Sequence, residues 1–175
     1  DQLAIQVHGA AGTASRIVGQ AAEKVYRSTG ADVTIEVRLD ASEGAWLEWL
    51  PQETILFESA RMRRLTRAEV GVGARLLAGE MIVFGRIAMG ESLTVGLVRD
   101  AWEIRRSGRL VWSDALHLEG RLDAVLQASA GLDGACAYAS LVYVGDDASD
   151  QLAVARDLLE ELPEDLHCAA TCVGD

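Results

Sequence analysis

Residues 31–39 alternate apolar and polar side chains without interruption, with Val33, Ile35, Val37 and Leu39 on one side and Thr34, Glu36 and Arg38 on the other. A period of two describes a strand with one buried face and one wet face. Shorter apolar runs of the same type recur at residues 45–49, 54–57, 93–97, 102–104, 110–112 and 135–144. Turn residues separate them, among them Asp40 through Gly44, Gly71-Val72-Gly73, Gly85, Gly90 and Ser107-Gly108. Many short, punctuated strands predict a mainly β fold: a sandwich, a barrel or a β-helix-like stack, and not alternating βαβ units. One segment departs from this pattern. After Ser149-Asp150-Gln151, the residues Leu152, Ala155, Leu158, Leu159 and Leu162 fall at helical spacing and Pro163 follows, which predicts a helix. No repeat of fixed period and no linker-like stretch stands out, so one domain over residues 1–175 is expected.

Composition narrows the function classes. Half of the 175 residues are apolar, a quarter are charged and only two are proline, which excludes disordered and collagen-like chains. A chain of this size buries roughly 70% of its unfolded surface and forms a core without metals or disulfides. Sixteen basic against 27 acidic residues give a net charge of -11, the wrong sign for gripping phosphate backbones, so no nucleic-acid partner is expected. Fifteen of the basic residues are arginine and Lys24 is the only lysine. Three cysteines are too few for a disulfide framework, which points to a reducing, cytoplasmic setting. No apolar run reaches the roughly 18 residues of a bilayer span, so no membrane association is expected. The first residue is Asp1 and not methionine, and the chain is expected to be incomplete at both termini.

Several constellations resolve into ordinary readings. Gly71-Val72-Gly73 lacks the third glycine and the lysine of a phosphate loop and reads as a turn. Gly90-Glu91-Ser92 lacks the closing glycine of a nucleophile elbow, and His8, His117 and His167 are scattered, so a hydrolase reading has no local support. His167, Cys168 and Cys172 offer three soft ligands, and the two thiols share a face if the segment is helical, but a closed zinc site needs four. Acidic residues inside apolar runs are more informative. Glu80 lies within Leu76-Leu77-Ala78-Gly79-Glu80-Met81-Ile82-Val83-Phe84, and Glu53 and Asp114 have similar settings. A carboxylate in such a run faces a partner, a wet cavity or an ion. With 15 arginines available, a buried pair with a guanidinium is the competing reading for each.

Three strings in order, Lys24-Val25-Tyr26-Arg27-Ser28, Glu48-Trp49-Leu50-Pro51-Gln52-Glu53-Thr54-Ile55, and Phe84-Gly85-Arg86 with Gly90-Glu91, closely resemble the UreD (UreH) family of urease accessory proteins. The resemblance runs from Asp1, which matches the end of the family's G-G-D motif, to about Leu118, and is weaker beyond. It implies a β-helical, strand-dominated fold with one or two short helices. It also implies a non-enzymatic scaffold in nickel-urease maturation that binds a helical UreF-like accessory protein, reaches a UreG-like GTPase through it, and docks on urease apoprotein. No cofactor is tightly bound on this reading, and nickel passes transiently through an acidic internal tunnel. On this resemblance Asp1, Glu80 and Asp114 are the candidates for the family's acidic tunnel residues, with Asp1 the best supported by its motif. Glu23 stands where relatives often carry a small hydroxyl residue, while Tyr26 and the stretch from Trp49 to Ile55 are assigned to the fold or a partner surface and not to chemistry. The alternative from another class is a small β-sandwich that binds carbohydrate or peptide through Trp46, Trp49, Trp102 and Trp112.

Overall fold

The computed structural model describes residues 1–163 and 166–173. Eleven strands and two helices follow one another along it. The strands are β1 (Gln2–Gly9), β2 (Ala14–Val18), β3 (Glu23–Val25), β4 (Val33–Ala41), β5 (Trp46–Leu50), β6 (Thr54–Leu56), β7 (Arg61–Val70), β8 (Arg75–Phe84), β9 (Val95–Arg106), β10 (Arg109–Arg121) and β11 (Ala137–Val144). Helix α1 (Asp123–Gln127) precedes β11 and α2 (Ala148–Glu160) follows it.

The chain winds as a β-solenoid of roughly three turns. Each turn lays one strand on a first sheet, ordered β1-β4-β7-β9-β10, then rounds a corner and lays the next on a second sheet. In the second sheet β2 and β3 stack on β5 and β6, these stack on β8, and β11 closes the far edge of β8. The stacked turns are parallel; only β10 and β11 run antiparallel to their neighbours. Parallel stacking of successive turns corrects the β-sandwich alternative. Two of its four tryptophans, Trp49 and Trp102, are core residues and not an exposed platform.

Corners carry the repeat. Gly12, Gly44 and Gly73 each adopt positive φ, at 67°, 65° and 63°, a conformation that costs glycine least. They are tied one above another, Gly12 N–H to Glu43 O and Gly44 N–H to Val72 O, each at 3.0 Å. The expected plain turn at Gly71-Val72-Gly73 is the third of these corners. Along the first sheet, Gln2 pairs with Thr34 and Thr34 with Arg63, spacings of 32 and 29 residues. The unequal spacing hides the repeat from a search for a constant period.

Alternation then decides the core. Val37, Leu39, Met62, Val98 and Ile104 of the first sheet face Leu47, Leu56, Leu76 and Ile82 of the second, all almost wholly buried. The runs at 93–97 and 102–104, expected as separate strands, fall from Val95 onward in one continuous β9 with Asp100 inside it, Leu93 and Thr94 preceding the strand. Helix α2 matches the periodic run expected at 149–162, yet it buries no side chain. Among the described residues no helix is long and apolar enough to cross a membrane.

Candidate functional site

The second turn of the solenoid is broken where Pro51 interrupts it. β5 pairs with β8 from Trp46↔Arg75 as far as Trp49↔Ala78, and β6 resumes at Thr54↔Ile82, so residues 79–81 of β8 lose their ladder on that edge. Glu80 stands in this gap. The first turn breaks at the same level between β2 and β3, where Gly19 lies so close to Gln52 that an added Cβ meets its backbone nitrogen at 2.9 Å.

Glu80 points into the core and is 6% exposed. From the facing sheet, β7 sends in Arg64, 3% exposed, whose Nη1 lies 2.6 Å from Glu80 Oε2. Arg64 is also held by Asp100 of β9, which accepts from Nε at 2.8 Å and from Nη2 at 2.9 Å, and by the Thr54 hydroxyl at 3.1 Å from Nη1. Trp49 Nε1–H donates to Glu80 Oε1 at 3.0 Å. The arginine reading of Glu80 is therefore the geometry observed. Two residues of the family-specific string, Trp49 and Thr54, expected to carry no chemistry, flank the strand break and hold the two sides of this ion cluster.

Two carboxylates share one guanidinium, which leaves the cluster one negative charge in excess when all three are ionised. Burial pushes the Glu80 carboxyl above the ordinary range; the Arg64 charge and the Trp49 hydrogen bond pull the other way without cancelling it, and Asp100 adds to the rise. The sign for stability follows. A carboxyl with a raised value in the folded state binds its proton better there than when unfolded, so its stabilising effect is complete below the unfolded value near 4.3 and is lost as pH rises towards the folded value. Glu80→Gln, a permanent mimic of the protonated form, is expected to gain stability relative to the natural protein as pH rises above about 4. Paired chemical melts across pH check this; a constant difference contradicts it.

Beside the cluster lie two polar atoms with no hydrogen-bond partner, Thr66 Oγ1 and Trp102 Nε1, on residues 0% and 2% exposed. Thr66 is the next inward residue after Arg64 on β7, and Trp102 the next after Asp100 on β9; the two are register partners. Buried polar atoms are nearly always satisfied by protein or by water, and these two have no protein partner. Asp114 on β10 is opposite Trp102, which places it on the same face of the sheet, and it is exposed. Asp1 is exposed just before β1, where its carbonyl accepts the Thr34 amide at 3.0 Å.

The three acids named from the sequence are thus not gathered into one ligand set. Asp1 and Asp114 lie at opposite edges of the first sheet, four strand spacings or roughly 19 Å apart across it and further separated along the strands, since Asp114 is level in register with Ile5 of β1. Glu80 lies between them, across from the central strand β7. Glu53 is half-buried in the strand break, its carbonyl accepting the Glu23 amide at 2.9 Å. His167, Cys168 and Cys172 are exposed and not helical, so the two thiols gain no shared helix face. Among the described residues no three His, Cys, Asp or Glu side chains converge on a possible metal position.

Sequence reasoning missed Arg64 as the partner of Glu80, Asp100 as the second partner of Arg64, and Thr66 and Trp102 beside them. A signal was present. In Met62-Arg63-Arg64-Leu65-Thr66-Arg67-Ala68, the period of two puts Arg64 and Thr66 on the side of Met62 and Ala68, and in Val98-Arg99-Asp100-Ala101-Trp102 it puts Asp100 beside Val98 and Trp102. A charge in phase with a buried face needs an opposite charge in phase with another.

Comparison with known proteins agrees with the family of the three strings. The family model for the UreD urease accessory protein matches residues 1–175. A urease accessory protein UreD from Magnetococcus marinus is 52% identical over 161 residues, 92% of this chain and 56% of that protein. The urease accessory protein UreD 2 of Methylorubrum populi is 42% identical over 98% of this chain and 58% of its own length, and the UreD of Xanthobacter autotrophicus is 42% identical over 91% and 55%. The chain spans a little over half the length of these relatives. With a three-turn solenoid, a polar break at its second turn and a family model matched from the first residue to the last, the chain belongs to the UreD family of urease accessory proteins.

Proposed function

We propose that this protein is a non-enzymatic scaffold of urease maturation, which joins urease apoprotein to a UreF-like and UreG-like assembly in the cytoplasm and lets nickel cross its interior towards the urease active site. One observation carries the reading. Polar side chains run through an otherwise apolar core, from the exposed Asp114 past Trp102 and Thr66 to the Asp100, Arg64 and Glu80 cluster. A core serving stability alone is better filled with apolar groups, since a buried ion pair seldom outperforms a hydrophobic replacement.

Dispersed carboxylates suit transit and not storage. Tight nickel binding recruits imidazole or thiolate, whereas isolated carboxylates hold a divalent ion weakly enough to release it. The separation of Asp1, Glu80 and Asp114 supports this division. Glu80 is the step inside the core, with the cluster's uncompensated charge to attract a cation.

The test uses the full-length protein, co-expressed with urease and the other accessory proteins. Glu80→Gln keeps shape and removes charge. It is expected to leave complex assembly intact while nickel loading of urease falls to about a tenth or less, equivalent to about 1.4 kcal/mol or more of barrier. Normal nickel content in urease from that strain removes the passage role.

A further inference from the structure

Two carboxylates hold Arg64 unequally. Asp100 takes Nε and Nη2 in the bidentate fork, the arrangement that best suits a planar guanidinium. Arg64 and Asp100 are also register partners on adjacent strands, so the ladder itself keeps them together. Glu80 receives only Nη1, and it comes from the facing sheet, across the gap between layers. The Arg64–Asp100 pair is the fixed half of the cluster and the Arg64–Glu80 contact the separable half.

We propose that Arg64 is a resident cation that occupies the metal's place at Glu80 and keeps the passage shut, and that nickel reaches Glu80 only when the guanidinium withdraws onto Asp100. The inference rests on the passage reading above and adds its gate. While Nη1 touches Glu80, an entering dication meets a full positive charge at contact distance and a carboxylate already neutralised. Withdrawal leaves Arg64 and Asp100 as a neutral pair and Glu80 as the uncompensated anion.

The orphaned atoms give that second state its partners. Thr66 Oγ1, next along the same strand and face as Arg64, is an unused acceptor for the released Nη1–H. Trp102 Nε1–H, across the ladder from Thr66, is an unused donor for water accompanying an ion. Neither atom has a protein partner in the shut state, which leaves both open to a second arrangement.

Nickel binding to the purified full-length accessory protein, measured by equilibrium dialysis with nickel alone, tests the gate. Arg64→Gln with Asp100→Asn removes the resident cation and its fixed partner together and leaves the Glu80 carboxyl free to take a cation in the guanidinium's place. Affinity is expected to rise at least about tenfold, and adding Glu80→Gln to abolish the gain. A second variant keeps the fold by design. Thr66→Val deletes a buried hydroxyl without a partner, so it melts no lower than the natural protein, yet nickel loading of co-expressed urease falls several-fold because the withdrawn guanidinium has lost its acceptor. The gate is overturned if the folded double variant binds nickel no more tightly than the natural protein, or, where that variant does not fold, if Thr66→Val loads urease normally. Normal loading with Glu80→Gln overturns the passage itself, so the two failures are distinguishable.

Discussion

Asp100→Ala is expected to lower the unfolding free energy by about 3–5 kcal/mol, because it leaves the buried Arg64 without its bidentate partner. For a domain of this size that is a fall in melting temperature of about 10 °C or more. Asp100 is 2% exposed and takes two of the guanidinium nitrogens, so water cannot replace it without opening the layer between the sheets. The triple variant Arg64→Gln/Asp100→Asn/Glu80→Gln is expected to lose less than Asp100→Ala alone, since it strands no charge opposite a missing partner. Urea melts of the three proteins measure both effects. A loss under about 1 kcal/mol for Asp100→Ala contradicts a dry, mutually dependent cluster.

Leu76→Ala is expected to cost about 2–5 kcal/mol through the cavity it leaves. Leu76 is 1% exposed, inward on β8, paired with Leu47 of β5 on one edge and Val144 of β11 on the other. It therefore packs where the second and third turns meet the closing strand, and neighbours constrained by two ladders cannot collapse into the space. Leu141, on the outer face of β11 and 68% exposed, supplies the control: Leu141→Ala is expected within about 0.5 kcal/mol of the natural protein. Equal losses at the two sites contradict the assignment of inner and outer faces.

Strands whose outward residues are polar were legible. Residues 31–39 show their alternation plainly, and β4 is where that alternation lies. β7 was not, because arginines fall on both faces: Arg61, Arg63 and Arg67 outward, Arg64 inward. A period-two filter reads charge as wet, and here one charge is dry. β9 was split for the same reason, since Asp100 interrupts its buried face. The separation of β5 from β6 was visible in Pro51, but the purpose of the gap was not, because Arg64 enters it from another sheet.

By itself the sequence determined the strand-rich class, the helix before Pro163, the acidic balance and the family, all of which depend on local periodicity, composition or short ordered strings. It also marked Glu80 as a carboxylate out of place. Only the tertiary structure decided that the turns stack in parallel, that Gly12, Gly44 and Gly73 align as one column of corners, and that Glu80 meets Arg64 and Asp100. The reason is range. Periodicity reports which side of its own strand a residue occupies, whereas an ion cluster forms between strands tens of residues apart, and the unequal turns of 32 and 29 residues that set their register come from the lengths of the corners and breaks between them.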